Sequence, residues 1–232
     1  REGRSGDGLK LDTVAHLRGA RLLLAEDNQI NQQVARELLE MAGFVVAIAS
    51  NGQEAVEAVL RGDMAFDGVL MDVQMPVMDG YEATRIIRRD GRYNDLPIIA
   101  STANALVSDL KDALSVGMND HIAKPIDPPA LFAVLARWIK PEAHMGGPEG
   151  DANIAPPPSA TTMPNLPGFA VAQALARTGG NVRSYRTLLK MFVANQSQAA
   201  DDIVRAIESG DGNSALLVAH TLKGVAGTIG AT

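Results

Sequence analysis

The stretch Val69-Leu70-Met71-Asp72-Val73-Gln74-Met75-Pro76-Val77-Met78-Asp79-Gly80 decides the architecture. A short apolar run stops at a lone carboxylate, and a turn carrying Pro76 and Gly80 follows at once. Runs of the same kind recur at Leu22-Leu23-Leu24-Ala25, Phe44 to Ala49, Pro97 to Ala100 and Ile122-Ala123. Runs apolar on both faces suit a parallel sheet covered by helices. The segments between them read as helices with recognisable ends. Ile30, Val34, Leu38 and Met41 lead to Gly43, where a left-handed C-cap is expected. Asp127 precedes Pro128, an N-cap before a proline at the first helical position. Leu131, Val134, Leu135 and Trp138 then fall at i, i+3, i+4 and i+7, a buried helix face. Five such βα units over residues 19–140 predict an α/β fold with a doubly wound open sheet.

Composition bounds the rest. The chain has 232 residues, enough for one or two domains, with 46% apolar and 21% charged residues, as in a soluble globular protein. The net charge of −6 gives no support to a nucleic-acid binder. There is no cysteine, so disulfides, thiolate metal sites and a cysteine nucleophile are excluded. No apolar run approaches the roughly 20 residues that span a bilayer, and residues 1–8 lack the apolar core of a signal peptide. Charge and proline are unevenly spread. Residues 19–140 carry 11 basic and 17 acidic residues, and residues 168–232 carry 6 and 4. Residues 141–167 hold 7 of the 12 prolines and no basic residue, the composition of an extended tether. The expected division is a connector at 1–18, an acidic domain at 19–140, a tether at 141–167 and a helical segment at 168–232. In that last segment three apolar stripes recur at helical spacing: Tyr185, Leu188, Leu189 and Phe192; Ala200, Ile203, Val204 and Ile207; and Ala215, Val218, Leu222, Val225 and Ile229.

Ligands of an open parallel sheet bind outside the carboxyl ends of its strands. At those ends stand Glu26-Asp27, Asp72, Ser101-Thr102 and Lys124-Pro125. Three converging carboxylates repel one another unless a cation sits among them, and a hard, oxygen-liganded Mg²⁺ is the natural occupant. A carboxylate can attack phosphorus to give an acyl phosphate. Thr102 and Lys124 are suited to donate to the phosphoryl oxygens as charge develops on them.

Together these features resemble a response-regulator receiver domain. The resemblance is carried by Glu26-Asp27, by Asp27-Asn28-Gln29-Ile30-Asn31-Gln32, by the turn from Met71 to Gly80, by the strand Pro97 to Ala103 with Thr102, and by Lys124-Pro125. It implies a flavodoxin-like sheet of order 2-1-3-4-5, with Asp72 as phosphoacceptor. It further implies Glu26, Asp27, Asp72 and the Gln74 carbonyl as Mg²⁺ ligands, Thr102 and Lys124 as phosphate contacts, and a cis Lys124–Pro125 bond. Three residues before the lysine, where the family often has Tyr or Phe, stands His121, so a readout different from aromatic rotation is expected. His121 itself reads as a structural residue of the sheet edge.

On the third helical stripe, His220-Thr221-Leu222-Lys223-Gly224 resembles the signature of a histidine phosphotransfer (Hpt) domain, with Leu188-Leu189-Lys190-Met191-Phe192 similar to its preceding helix. His220 is expected on a polar face, with Lys223 and Gly224 one turn away and Gly227 two turns away. The family forms a four-helix bundle, and the hairpin expected after the histidine helix lies beyond Thr232, so an incomplete domain is expected.

The combined resemblance is to the C-terminal part of a hybrid sensor histidine kinase, the cytoplasmic portion of an inner-membrane sensor, without nucleic-acid or membrane contact by this stretch. It implies phosphoryl transfer from a kinase-core phosphohistidine to Asp72, on to His220, and then to a downstream response regulator or Hpt domain. No glycine-rich ATP-binding segment precedes the receiver. Two other readings compete. One is a phosphorylation-controlled binding module without onward transfer through His220. The other is a Mg²⁺-dependent phosphatase, which needs an acid two residues after its nucleophile, where this chain has Gln74.

Overall fold

The computed structural model describes residues 11–102, 107–140, 166–178 and 180–231. The chain divides into two compact units, one bearing the sheet and one wholly helical. In the first, β1 (Arg21–Ala25), β2 (Val45–Ala49), β3 (Gly68–Asp72), β4 (Ile98–Thr102) and β5 (Asp120–Ala123) form one parallel sheet in the order β2-β1-β3-β4-β5. The helices are α1 (Gln29–Met41), α2 (Gly52–Arg61), α3 (Gly80–Arg89), α4 (Val107–Ser115) and α5 (Pro128–Trp138). This is the flavodoxin-like, doubly wound arrangement.

β3 and β4 are buried along their whole length, as their uninterrupted apolar runs require. Leu23, Ala25, Val69, Met71, Ile98 and Ala100 turn to one face and pack with Val59, Ala83, Ile87 and Ala113 from α2, α3 and α4. The helix ends follow local chemistry. Asn51, Asp79 and Asp127 cap α2, α3 and α5 by accepting from the amides of Glu54, Glu82 and Ala130. Gly43 adopts φ +95°, the left-handed geometry expected after α1.

A 3₁₀ turn over Leu11–Leu17 buries Val14 and Leu17 and packs on α5. Part of the stretch expected as a connector thus belongs to this unit's core, because the i, i+3 spacing of these two residues puts them on one 3₁₀ face. Of the tether expected over 141–167, only residues 166 and 167 are described.

The second unit takes in Asn28–Ala35, which includes the first part of α1, together with α6 (Val171–Arg177), α7 (Val182–Gln196), α8 (Ala199–Glu208) and α9 (Gly212–Ile229). Its core joins Ala174, Tyr185, Leu188, Val225 and Ile229, and the buried Tyr185 hydroxyl donates to the Ile229 carbonyl at 2.9 Å. Asn181 and Asp211 cap α7 and α9. The helix α6, seven residues long, is too short to show a repeating apolar stripe in the sequence. The middle stripe does lie on α8, yet Val204 and Ile207 are 51% and 63% exposed, as is Leu216 of α9 at 71%. No described helix is long and apolar enough to cross a membrane.

Candidate functional site

Asp72 is the last residue of β3 and is 3% exposed. Its Oδ1 accepts from the Gln74 amide at 3.1 Å, which turns the chain sharply out of the strand. Glu26 and Asp27 follow β1, the neighbouring strand. One ligand oxygen from each of Glu26, Asp27 and Asp72 lies within 4.8 Å of the others. Lys124 reaches in from the end of β5, after which the Lys124–Pro125 peptide is cis, as expected. Its Nζ donates to Asp72 Oδ2 at 2.6 Å and to Glu26 Oε2 at 2.7 Å, with only 8% of the side chain exposed. The Lys124 amide donates to the Thr102 carbonyl at 2.7 Å, so the ends of β4 and β5 are held together where the lysine leaves the sheet.

The electrostatics follow from this crowding. Burial first, then the Glu26 charge, pushes the Asp72 carboxyl from its ordinary 3.8 up to about 7, while Lys124 and the Gln74 amide draw it part of the way back. Burial alone would lower the Lys124 pKa, but Glu26 and Asp72 outweigh it and the pKa is raised, so the ammonium stays charged. One buried cation thus serves two carboxylates, with a third beside them. The excess negative charge and the all-oxygen donor set fit a hard divalent cation.

The helix that follows is pressed against the phosphoacceptor candidate. A Cβ on Gly80 would run into the Asp72 carbonyl oxygen, and one on Gly52 into the Met78 carbonyl. Both positions therefore need glycine for close approach rather than for an unusual φ. Val77 has the opposite problem: a β-branched residue at φ +70°, 78% exposed, in the loop between Asp72 and α3.

The fold thus gathers Glu26, Asp27, Asp72 and Lys124, with Gln74 adjoining Asp72 and Thr102 buried at the end of β4. His121 lies on the edge strand β5, half-buried, its amide bound to the Asp120 carboxylate at 2.9 Å. His220 lies in the helical unit, half-buried on α9, with Lys223 exposed one turn on. Two features escaped the sequence. The Lys124–Glu26 pair joins residues to which the resemblance gives separate roles, and the approach of Gly80 to Asp72 is tighter than a turn glycine requires. Each depends on strand order, which residue types do not carry.

Residues 22–136 match the response regulator receiver domain family, and residues 187–232 match the Hpt domain family. Probable histidine kinase 2 of Oryza sativa subsp. indica is 40% identical over 139 residues, covering 54% of this chain and 13% of that protein. Histidine kinase 1 of Arabidopsis thaliana is 36% identical over 172 residues, covering 60% of this chain and 14% of that protein. The chain therefore spans only a small part of the length of these kinases. Among solved structures, the receiver domain of sensor histidine kinase PA1611 from Pseudomonas aeruginosa PAO1, described with a magnesium ion coordinated in the active site cleft, is 42% identical. That match covers 52% of this chain and 97% of the other, with a TM-score of 0.48.

Proposed function

This chain belongs to the two-component phosphorelay family, with a receiver domain over residues 22–136 and an Hpt domain over 187–232, and from that premise we propose that Asp72 accepts a phosphoryl group and His220 takes it onward. The donor is a phosphohistidine of a histidine kinase core. An Asp72 oxygen attacks phosphorus as the P–N bond breaks and the leaving imidazole takes up a proton. Mg²⁺ supplies charge neutralisation for the phosphoryl oxygens, and Glu26, Asp27, Asp72 and the Gln74 carbonyl would hold it. The Lys124 ammonium and the Thr102 hydroxyl donate to the same oxygens. In the second transfer an imidazole nitrogen of His220 attacks, the acyl P–O bond breaks, and Asp72 returns to a carboxylate. The product phosphohistidine then serves a separate response regulator. In this reading the parent is a hybrid sensor histidine kinase, and residues 1–18, 19–140, 141–167 and 168–232 of this chain are its connector, receiver, tether and Hpt segment, with the end of the connector packed on α5.

The observation that carries the proposal is the Lys124 ammonium held between Asp72 and Glu26, with the Asp27 carboxylate beside them. The test is phosphorylation by acetyl phosphate with Mg²⁺. Wild type should show a base-labile acyl phosphate and an acid-labile phosphohistidine. Asp72→Asn should show neither, and His220→Gln only the first. Label retained by Asp72→Asn would refute the assignment. A second reading, a phosphorylation-controlled binding module, draws support from the exposed apolar side chains Val204, Ile207 and Leu216. It predicts label on Asp72 that never reaches His220.

A further inference from the structure

Ser101 is 4% exposed, and its Oγ is buried with no hydrogen-bond partner among the described residues. A buried hydroxyl left without a partner carries an unrecovered desolvation cost. Its neighbours on β4, Ile98, Ile99 and Ala100, are apolar. The position of Ser101 gives the hydroxyl a use. In the parallel register Asp72 on β3 faces Ser101 on β4, and Ser101 faces Ile122 on β5. Register partners in a sheet direct their side chains to the same face. Lys124 lies one residue past the Thr102–Ala123 pair, and its ammonium bonds Asp72 on β3, so its side chain spans the end of β4. On the face that carries Asp72, the β4 side chain in that row is Ser101.

An ammonium has three donors, and Lys124 spends two of them on Glu26 Oε2 and Asp72 Oδ2. The same two carboxylates, with Asp27, are the ones placed to hold a divalent cation. A buried ammonium that surrenders both acceptors without a replacement is strongly disfavoured. We infer that Ser101 is a positioning residue for Lys124: its hydroxyl accepts from the ammonium when a divalent cation claims Glu26 and Asp72. The lysine then stays charged, buried and close to the place where phosphoryl oxygens gather. The inference rests on the proposed cation site at Glu26, Asp27 and Asp72, and it assigns Ser101 a part in exchanging one cation for another there.

The test is magnesium binding by the full 232-residue chain, measured by calorimetry without any phosphodonor. Ser101→Val removes the hydroxyl and Ser101→Thr keeps it at nearly the same volume. Ser101→Val should bind Mg²⁺ about 3- to 10-fold more weakly, the loss expected for one hydrogen bond, while Ser101→Thr should stay within about twofold of wild type. In the Mg²⁺-loaded wild type and Thr variant, the Lys124 ammonium should give a slowly exchanging nitrogen resonance that the Val variant lacks. Ser101→Ala repeats the measurement should the valine overpack the strand. Equal affinities for Val, Thr and wild type overturn the inference alone. A wild type that binds no Mg²⁺, or an Asp72→Asn variant that binds as tightly as wild type, overturns the cation site as well.

Discussion

Asp72 and His220 are proposed to carry the same phosphoryl group in opposite surroundings. Asp72 lies almost wholly buried at the end of a central strand, with the Lys124 ammonium at 2.6 Å and two further carboxylates close by. His220 lies half-buried on a single helix, with Lys223 exposed one turn away. A carboxylate is a weak nucleophile, and the phosphoryl transfer proposed for it would depend on charges placed around it by β1, β3, β4 and β5. An imidazole is nucleophilic near neutral pH and needs little beyond access. The contrast teaches that the proposed first carrier is made by a tertiary structure and the proposed second by a helix face.

The largest effect that could break this contrast comes from Lys124. Lys124→Ala leaves Glu26 and Asp72 buried without their cation and should destabilise the Mg²⁺-free protein by about 3–5 kcal/mol in urea unfolding at pH 8. Added Mg²⁺ should recover much of that stability. Lys223→Ala, on the exposed part of α9, should change stability by less than about 0.5 kcal/mol. Equal effects would erase the distinction between the two regions.

Glycine sharpens it next. Gly80→Ala drives a methyl into the Asp72 carbonyl and should cost about 1–3 kcal/mol, read as a lower urea midpoint. Gly212→Ala at the start of α9 meets nothing within 4 Å and should stabilise by up to about 1 kcal/mol.

The charge on Asp72 gives a pH-dependent test. Its folded pKa of about 7 lies above the ordinary 3.8, so the native state holds the extra proton between those values. Its contribution to stability is therefore full below pH 3.8 and is lost as pH rises through 7. Asp72→Asn should raise the stability of the Mg²⁺-free protein by about 1–3 kcal/mol at pH 8 and by little at pH 4. A gain of the same size at both pH values would show that burial does not raise this carboxyl. The smallest effect belongs to the loop: Val77→Asn, which tolerates φ +70°, should add about 0.5–1 kcal/mol.

Much of the sheet-bearing unit was legible in the sequence because its signals are local. Apolar runs marked all five strands, and Asp127-Pro128 and Gly43 marked a helix start and a helix end, each confirmed by a cap or by φ. The helical unit was less legible. Its α8 stripe is exposed at Val204 and Ile207, since periodicity says that a face is apolar and not what covers it. The turn over Leu11–Leu17 was missed because two apolar residues are too few to declare a pattern.

Residue types and spacing determined which groups could do the chemistry: three carboxylates, a hydroxyl and an ammonium at strand ends, and a histidine on an amphipathic helix. Only the tertiary structure decided who holds whom. Strand order puts β1 and β3 side by side and leaves β4 between Asp72 and Lys124, so the lysine spans the end of β4 to reach the two carboxylates, and Ser101 is the β4 register partner of Asp72. The physical reason is range. A helix or strand pattern is written by neighbours a few residues apart, whereas hydrogen bonds and charges act through space between residues 52 positions apart in the chain, as Asp72 and Lys124 are.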